Sequence, residues 1–203
     1  MQRLPCTRCG DSIHPDTAAS NDGLCMPCVR GNTRSIEERR DEHRQRREAE
    51  RADRESPERL YWIALVDRVY KGEGFESLSH GDQLYYLLSV LSGEVHNGGF
   101  DQFFSNSSGN HYRETVDALK EIGDTLALDL LLQAKAAVFG DAPVPANRVA
   151  RFDLMRTASE DHPEYEIANQ VLDGLDRRFW SHAERFGAQL ENLAASHQLY
   201  KMI

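Results

Sequence analysis

The stretch NGGFDQFFSNSSG, residues 97–109, follows the apolar run LYYLLSVL (84–91) and differs in composition from its surroundings. This junction segment holds three glycines, three phenylalanines and three serines but one charged residue, in a chain that is 28% charged. Glycine readily adopts the left-handed conformation that closes the last turn of a helix. We therefore expect a helix to end at Asn97-Gly98-Gly99 and a short helical turn to follow it.

The aromatic residues of the junction segment support a packing role. Phe100, Phe103 and Phe104 are spaced by three and four residues, which places them on one side of a helical turn. We expect all three to enter the core. The polar residues Asn106–Gly109 predict a second turn that caps the next helix. The segment is therefore typical of a tight junction between two helices.

Helix start and stop signals recur on both sides of this junction. Ser56-Pro57 predicts a helix start and Gly72 its end, and Ser79 predicts the start of the next helix. Further helices are expected at about 110–122, at 124–140 with its end at Gly140, at about 147–158, and from Pro163 onward with breaks near Gly174 and Gly187. No alternating pattern is long enough to build a sheet. The sequence predicts an all-α fold, a compact bundle of about six to eight helices.

Four cysteines form two C-x-x-C pairs near the start of the chain: Cys6, Cys9, Cys25 and Cys28. Two such turns, 15 residues apart, aim four thiolates at one ion and complete a tetrahedral sulfur shell. We expect a structural Zn²⁺ site, since a catalytic site would leave a coordination position open. His14 could substitute as a ligand, and a redox or disulfide pair is the alternative. We predict that zinc replaces a core that residues 1–33 are too few to build.

The next segment, residues 34–56, has 16 charged residues out of 23, eight of each sign. Oppositely charged residues recur at helical spacing, as in Arg46 and Glu50. The segment lacks an apolar seam and therefore predicts a solvated helical spacer. The predicted organisation is a zinc-ribbon-like knuckle at 1–33, a charged helical linker at 34–56 and a helical domain at 57–203.

The net charge of −9 is confined to the last of these three parts. Residues 1–56 carry 11 basic and 11 acidic side chains, whereas residues 57–203 carry 13 and 22. An acidic surface repels nucleic acid and attracts basic partners, although moderate acidity also serves solubility alone. The sequence shows neither a signal-peptide layout nor an apolar run long enough to cross a bilayer, which predicts a soluble, cytoplasmic protein with no membrane partner.

One predicted helix concentrates this charge. At 100° per residue, four carboxylates fall within an arc of about 80°, and they are Glu114, Asp117, Glu121 and Asp124. Val116, Leu119 and Ile122 point the opposite way, towards the core. We interpret this carboxylate stripe as a partner-binding surface. The alternative is that any amphipathic helix shows a polar outer face.

Catalytic and second-metal interpretations use the same central residues. Serines 105, 107 and 108 could act with His96, His111 or Asp101, but no strained G-x-S-x-G elbow is present. A second metal site would need ligands from this region. No two of the candidates have the spacing that puts two ligands on one helical face. These candidates are His80, Asp82, His96, Asp101 and His111. We expect the chain not to be an enzyme, because packing explains every residue of the junction segment.

Three stretches carry a family resemblance: SGEVHNGGFDQFFSNSSGN (92–110), ETVDALKEIG (114–123) and LDGLDRRFW (172–180). Together they resemble a small all-helical bacterial family of DNA-mimic proteins, the DMP-like domain. The similarity covers about residues 57–203. It implies an acidic homodimer whose surface carboxylates imitate DNA phosphates and which occupies the DNA site of a transcription factor or another DNA-binding protein. The knuckle and the spacer lie outside it.

Two functions therefore compete. In the first, the chain is an acidic binding protein that engages a basic, DNA-binding regulatory protein. In the second, it is an adaptor or scaffold whose zinc knuckle makes the specific contact, while the helical domain only dimerises. Direct nucleic-acid binding by the knuckle and the arginine-rich spacer is a third possibility, which the zero net charge of residues 34–56 disfavours.

Overall fold

A computed structural model describes residues 2–31 and 36–202 of the chain. Contacts divide the protein into two compact units, Met1–Arg59 and Leu60–Ile203. They do not set the spacer apart from the cysteine segment, so the three-part division stays a prediction. Of the helices in the described ranges, none combines the length and the apolar character that a bilayer crossing requires.

The first unit begins with a minimal hairpin. Strands β1 (Leu4–Pro5) and β2 (Ser12–Ile13) pair antiparallel, with Leu4 opposite Ile13. Two short helices follow, α1 (Pro15–Ser20) and α2 (Met26–Val29). This small fold matches the knuckle that the two cysteine pairs predicted.

The charged helix α3 spans Ile36–Arg54 and confirms the predicted helical spacer. Its boundary with the knuckle, predicted at residues 33 and 34, lies outside the described residues. Arg46 Nε contacts Glu50 Oε1 at 2.8 Å, as the sequence spacing predicted, and both side chains are exposed. Such exposed pairs contribute only a few tenths of a kcal/mol each, about 0.3–0.5. All the described side chains of α3 are exposed, so these pairs stabilise the helix only weakly and none of its described residues enters a core.

Six further α-helices and three 3-10 helices follow within the described part of the chain, and they confirm the all-α prediction. The α-helices are α4 (Pro57–Lys71), α5 (His80–Ser105), α6 (Tyr112–Glu121), α7 (Thr125–Phe139), α8 (Arg148–Phe152) and α9 (Tyr165–Ser196). The 3-10 helices are Phe75–Ser77, Ser107–His111 and Leu199–Met202.

The predicted capping residues are confirmed at two helix starts. Ser79 Oγ accepts the N–H of Asp82 at the start of α5, and Ser56 Oγ accepts the N–H of Arg59 at the start of α4. Helix α7 ends at Gly140, whose φ of 56° is left-handed, as predicted. Local sequence chemistry therefore sets these boundaries.

Helices α5 and α9 pack along each other at the centre of the second unit, and α7 packs on α9. Phe100, Phe103 and Phe104 are buried, which confirms that the junction segment enters the core. The ring of Phe100 meets Phe179 of α9 edge-on, with centroids 5.7 Å apart, and Phe104 meets Phe139 of α7 at 5.2 Å. Buried aromatic contacts of this kind add to the area term of the hydrophobic effect.

The helix break predicted at Asn97-Gly98-Gly99 is confirmed. Gly98 and Gly99 leave the helical conformation, Gly99 with a left-handed φ of 74°, and the predicted helical turn follows this kink and ends at Ser105. Two other helix predictions were wrong in their boundaries. Helix α9 runs unbroken through Gly174 and Gly187, because the apolar face around both glycines stays packed in the core. Helix α8 covers Arg148–Phe152 only, and not 147–158.

Candidate functional site

The four cysteines lie together in the first unit. Their sulfur atoms all lie within 4.8 Å of one another, and Cys6, Cys25 and Cys28 are buried. Cys9 Sγ is 3.6 Å from Cys25 Sγ. No other group of three or more candidate ligands comes together in the described ranges. The C-x-x-C spacing therefore predicted the one cluster of metal-ligating side chains that the described residues form.

Backbone turns position the thiols. The N–H of Gly10 donates to Cys6 O at 2.9 Å and the N–H of Cys6 to Asp11 O at 2.8 Å, which folds the first pair into a turn. In the second pair, Cys25 precedes α2 and its N–H donates to Cys6 Sγ at 3.2 Å. Backbone N–H groups, that of Cys9 first, lower the pKa of the Cys6 thiol to about 6, although burial acts in the opposite direction. Burial raises the pKa of the Cys28 thiol, so the protein alone favours a thiolate at Cys6 but not at Cys28.

This donor set fits a tetrahedral metal ion. At a Zn–S distance of about 2.3 Å, the sulfurs of a tetrahedral site lie about 3.8 Å apart, close to the 3.6 Å between Cys9 and Cys25. The core of the unit consists of Cys6, Cys25, Cys28 and Ile13, so thiols fill the place of apolar side chains. His14 lies outside the cluster, where its Nδ1 accepts the N–H of Asp16 at the start of α1.

Three of the four carboxylates predicted for the carboxylate stripe lie exposed on one helix. Glu114, Asp117 and Glu121 are exposed on α6, over about 10 Å of helix axis. Lys120 Nζ contacts Asp117 at 2.8 Å, and His80 Nε2 lies 2.7 Å from Glu121 Oε1. The exposed part of the stripe is therefore shorter than predicted, and two of its charges have partners.

Asp124 does not belong to the surface, and its assignment to the stripe was wrong. Helix α6 ends at Glu121, and Asp124 caps α7 by accepting the N–H of Ala127 at 3.0 Å. Its residue exposure is 3%, and its Oδ2 lies 2.7 Å from Nε2 of the buried His182. The helical-wheel angle failed because the turn at Gly123 breaks the helix before Asp124.

The structure shows a second acidic surface that the sequence patterns did not predict. Residues 153–166, the acidic segment, connect α8 to α9 and begin α9, and they carry five exposed carboxylates: Asp153, Glu160, Asp161, Glu164 and Glu166. The only lysine or arginine among them is Arg156, whose Nε contacts Glu164 Oε2 at 3.2 Å. The composition of residues 153–166 shows this excess of acidic side chains. A search for charge along predicted helices misses it, because the segment consists mostly of turns.

The polar side chains of the junction segment bind Glu94, a residue that sequence reasoning did not single out. One oxygen of Glu94 accepts from Gln102 Nε2 at 2.6 Å and from Asn106 Nδ2 at 2.9 Å, and the other accepts from Ser108 Oγ at 3.1 Å. Charge-assisted hydrogen bonds of this kind are stronger than neutral ones. Glu94 therefore joins the two sides of the kink in α5.

Arg151 holds the end of the same segment, although it is completely buried. Its guanidinium donates to Phe104 O and Asn106 O at 2.5 Å each and to Pro145 O at 2.8 Å. Burial lowers the pKa of Arg151. The carbonyls at the C-terminal end of α5 provide the negative end of the helix dipole that stabilises this cation. The junction segment is thus built to hold helices together.

The suggested catalytic parts do not assemble in the described residues. Ser108 is buried against Glu94, Ser105 Oγ donates to Gln102 O at 3.4 Å, and no hydrogen bond joins either to His111. His96 is exposed and its Nδ1 lies 2.7 Å from Ser92 O. Burial raises the pKa of Asp101, whose Oδ1 is buried without a hydrogen-bond partner. That the chain is not an enzyme stays a prediction.

Comparison with models of protein families gave a match. The family model described as "DMP19-like protein" matches residues 76–197, which include the junction segment and the whole of α9. No curated protein and no solved structure gave a significant match. Self-association, which the family resemblance implies, stays a prediction.

Proposed function

The chain belongs to the DMP19-like protein family, and from this premise we propose that its helical unit is an acidic binding module that engages a basic DNA-binding protein in place of DNA. The observation that carries the proposal is the charge of residues 57–203, which hold 22 acidic and 13 basic side chains. Most of these carboxylates are exposed, and they concentrate on α6 and on the acidic segment.

The physical basis is that DNA-binding proteins gain most of their affinity from lysine and arginine contacts to phosphates. An exposed carboxylate offers the same donors a negatively charged oxygen acceptor. A single-sign acidic surface also steers a basic partner to the site and speeds association. The module needs no reactive cleft for this role, and we propose that it is not an enzyme.

Capture of partners at two salt concentrations tests the proposal. The full chain, used as bait in its own cell extract, is expected to retain a basic DNA-binding protein at about 50 mM salt and to release it at about 500 mM, because screening weakens charge contacts. A matched bait with the five carboxylates of the acidic segment changed to amides should lose most of the capture. Recovery of no basic DNA-binding protein at low salt would contradict the proposal.

We also propose that the cysteine cluster holds one structural Zn²⁺, since four thiolates close a tetrahedral shell and the thiols themselves form the core of the unit. Zinc would supply folding free energy there and no open position for chemistry.

This independent metal unit favours a second candidate function, in which the knuckle makes the specific contact of an adaptor. Deletion of residues 1–33 separates the two functions. Capture that persists after the deletion supports the acidic module, and capture that disappears supports the adaptor.

A further inference from the structure

An open cleft of about 420 Å³ lies where the ends of three helices of the second unit meet. Leu84 near the start of α5, Ile122 just after α6 and Leu193 near the end of α9 provide its apolar wall. Glu121, Gln189, Asn192 and His197 provide polar groups. A concave apolar surface with a few polar groups is the usual form of a binding site.

The carboxylate of Glu121 is held in place at this cleft. His80 Nε2 lies 2.7 Å from Glu121 Oε1, and His80 is the donor because an ionised carboxylate only accepts. The ring of His80 meets the ring of His197 edge-on, with centroids 6.3 Å apart. The His197 ring in turn packs so closely on Gly81 that a Cβ there would lie 2.6 Å from it. Lys120, the neighbouring cation on α6, is engaged with Asp117.

Gln189, which lines the cleft, carries a second acceptor, and its amide must turn towards the cleft to present that oxygen to a ligand. Its Oε1 is buried and has no hydrogen-bond partner, one of only three such side-chain atoms among the described residues. Of these three atoms, the Gln189 oxygen alone belongs to a residue that lines this cleft. A buried acceptor without a donor costs about 1–3 kcal/mol, so a ligand that donates a hydrogen bond would remove a penalty as well as add a contact.

We propose that this cleft binds an arginine side chain of the basic partner. The inference rests on the proposed function, because that function requires a cationic partner surface. The guanidinium donates to the Glu121 carboxylate and to Gln189 Oε1, and the aliphatic stem packs on Leu84, Ile122 and Leu193. Arginine fits better than lysine because its five donors are spread over a rigid plane and reach two separate acceptors, whereas an ammonium group is a point charge.

The test is an NMR titration of the ¹⁵N-labelled full chain with Nα-acetyl-arginine amide. We expect saturable shifts confined to amides near residues 84, 121–122 and 189–197. Nα-acetyl-citrulline amide has nearly the same shape without the charge and should bind at least tenfold more weakly. The corresponding lysine amide should also bind more weakly than the arginine amide.

Variants identify the two acceptors. Glu121→Gln and Gln189→Leu should each weaken arginine binding about tenfold. Glu114→Gln removes the same charge from the same helix, two turns away, and should change it less than twofold. Equal losses in Glu114→Gln and Glu121→Gln would show diffuse charge attraction and overturn the inference. Absence of saturable shifts, or equal binding of arginine and citrulline, would also overturn it.

The inference and the proposed function fail separately. Arginine binding at the cleft without capture of any basic DNA-binding protein would leave the cleft in place and remove the proposed function. Capture of the basic partner that is unchanged by Glu121→Gln and by Gln189→Leu would leave the function in place and remove the cleft as its arginine site.

Discussion

Asp176 of α9 accepts the backbone N–H of Phe100 through Oδ1 at 2.9 Å, at the kink of α5. The kink leaves this N–H without its usual helical acceptor, and the carboxylate of a residue 76 positions later takes that place. Gly99 has a left-handed φ of 74°, and a Cβ at this position would lie 2.2 Å from Asp176 Oδ2. The two central helices therefore meet where only a glycine fits.

Replacement of Gly99 by alanine should destabilise the second unit. The left-handed backbone and the clash with Asp176 together predict a loss of about 2–3 kcal/mol in the free energy of unfolding. Gly93→Ala is the matched control, because a Cβ on that residue of α5 meets no atom within 4 Å. Urea denaturation measures both. A Gly99→Ala variant as stable as Gly93→Ala would show that the kink is not required.

Asp176 should make stability depend on pH. Burial, together with the charges of Asp173 and Asp101, raises its pKa, although the N–H of Phe100 acts in the opposite direction. A carboxyl with a raised pKa in the folded state costs stability as pH rises above its unfolded value of about 3.9. Asp176→Asn keeps an acceptor and removes the charge, so its free energy of unfolding should increase relative to the wild type between pH 4 and pH 7.

The control for that experiment is Glu184→Gln, which removes one carboxylate charge from the exposed face of α9 and is not among the charges that raise the pKa of Asp176. Its stability relative to the wild type should change by less than about 0.5 kcal/mol over the same range. A stability difference between Asp176→Asn and the wild type that stays constant with pH would contradict the predicted effect of burial.

Replacement of Asp124 and of Asp117 should have different effects on stability, although both residues were predicted to lie on the carboxylate stripe. Asp124→Ala removes the cap of α7 and leaves the buried His182 without its acceptor, which predicts a loss of about 2–4 kcal/mol. Asp117→Ala changes an exposed residue and should cost less than about 0.5 kcal/mol. Thermal unfolding followed by circular dichroism measures both losses. Equal losses would mean that Asp124 is as exposed as Asp117.

Metal removal should unfold residues 2–31 and leave the second unit folded. We expect about one zinc ion per chain by elemental analysis, and much less in Cys25→Ser, because all four thiolates complete the shell. After chelation, NMR signals of residues 2–31 should move to random-coil positions while those of 60–203 stay in place. Signals of residues 2–31 that remain dispersed after the metal has been removed would show that it does not hold the fold.

Local chemistry made much of this structure predictable. The C-x-x-C spacing, the capping serines and the phenylalanine spacing each depend on a few neighbouring residues, and the corresponding features are confirmed. The unbroken course of α9 through Gly174 and Gly187 was not predictable, because contacts with other helices outweigh the cost of glycine in a helix.

The polar partners of the junction segment were also not predictable. Glu94, Arg151 and Asp176 are separated from their partners by up to 76 residues, and each looks like an ordinary surface charge in the sequence. The burial of Asp124 was missed for a related reason, since a helical wheel assumes that the helix continues. The burial and the partners of these charged residues depend on contacts with residues far away in the sequence, which local sequence patterns do not show.

Competition with DNA tests the central claim most directly. A basic DNA-binding protein captured by the chain is first bound to a fluorescent duplex, and the full chain is then added while anisotropy is followed. The expected result is release of the duplex. Release should be reduced at least tenfold when the carboxylates of the acidic segment and those of Glu114, Asp117 and Glu121 are changed to amides. A ternary complex that keeps the duplex bound would contradict the claim that this acidic surface takes the place of DNA.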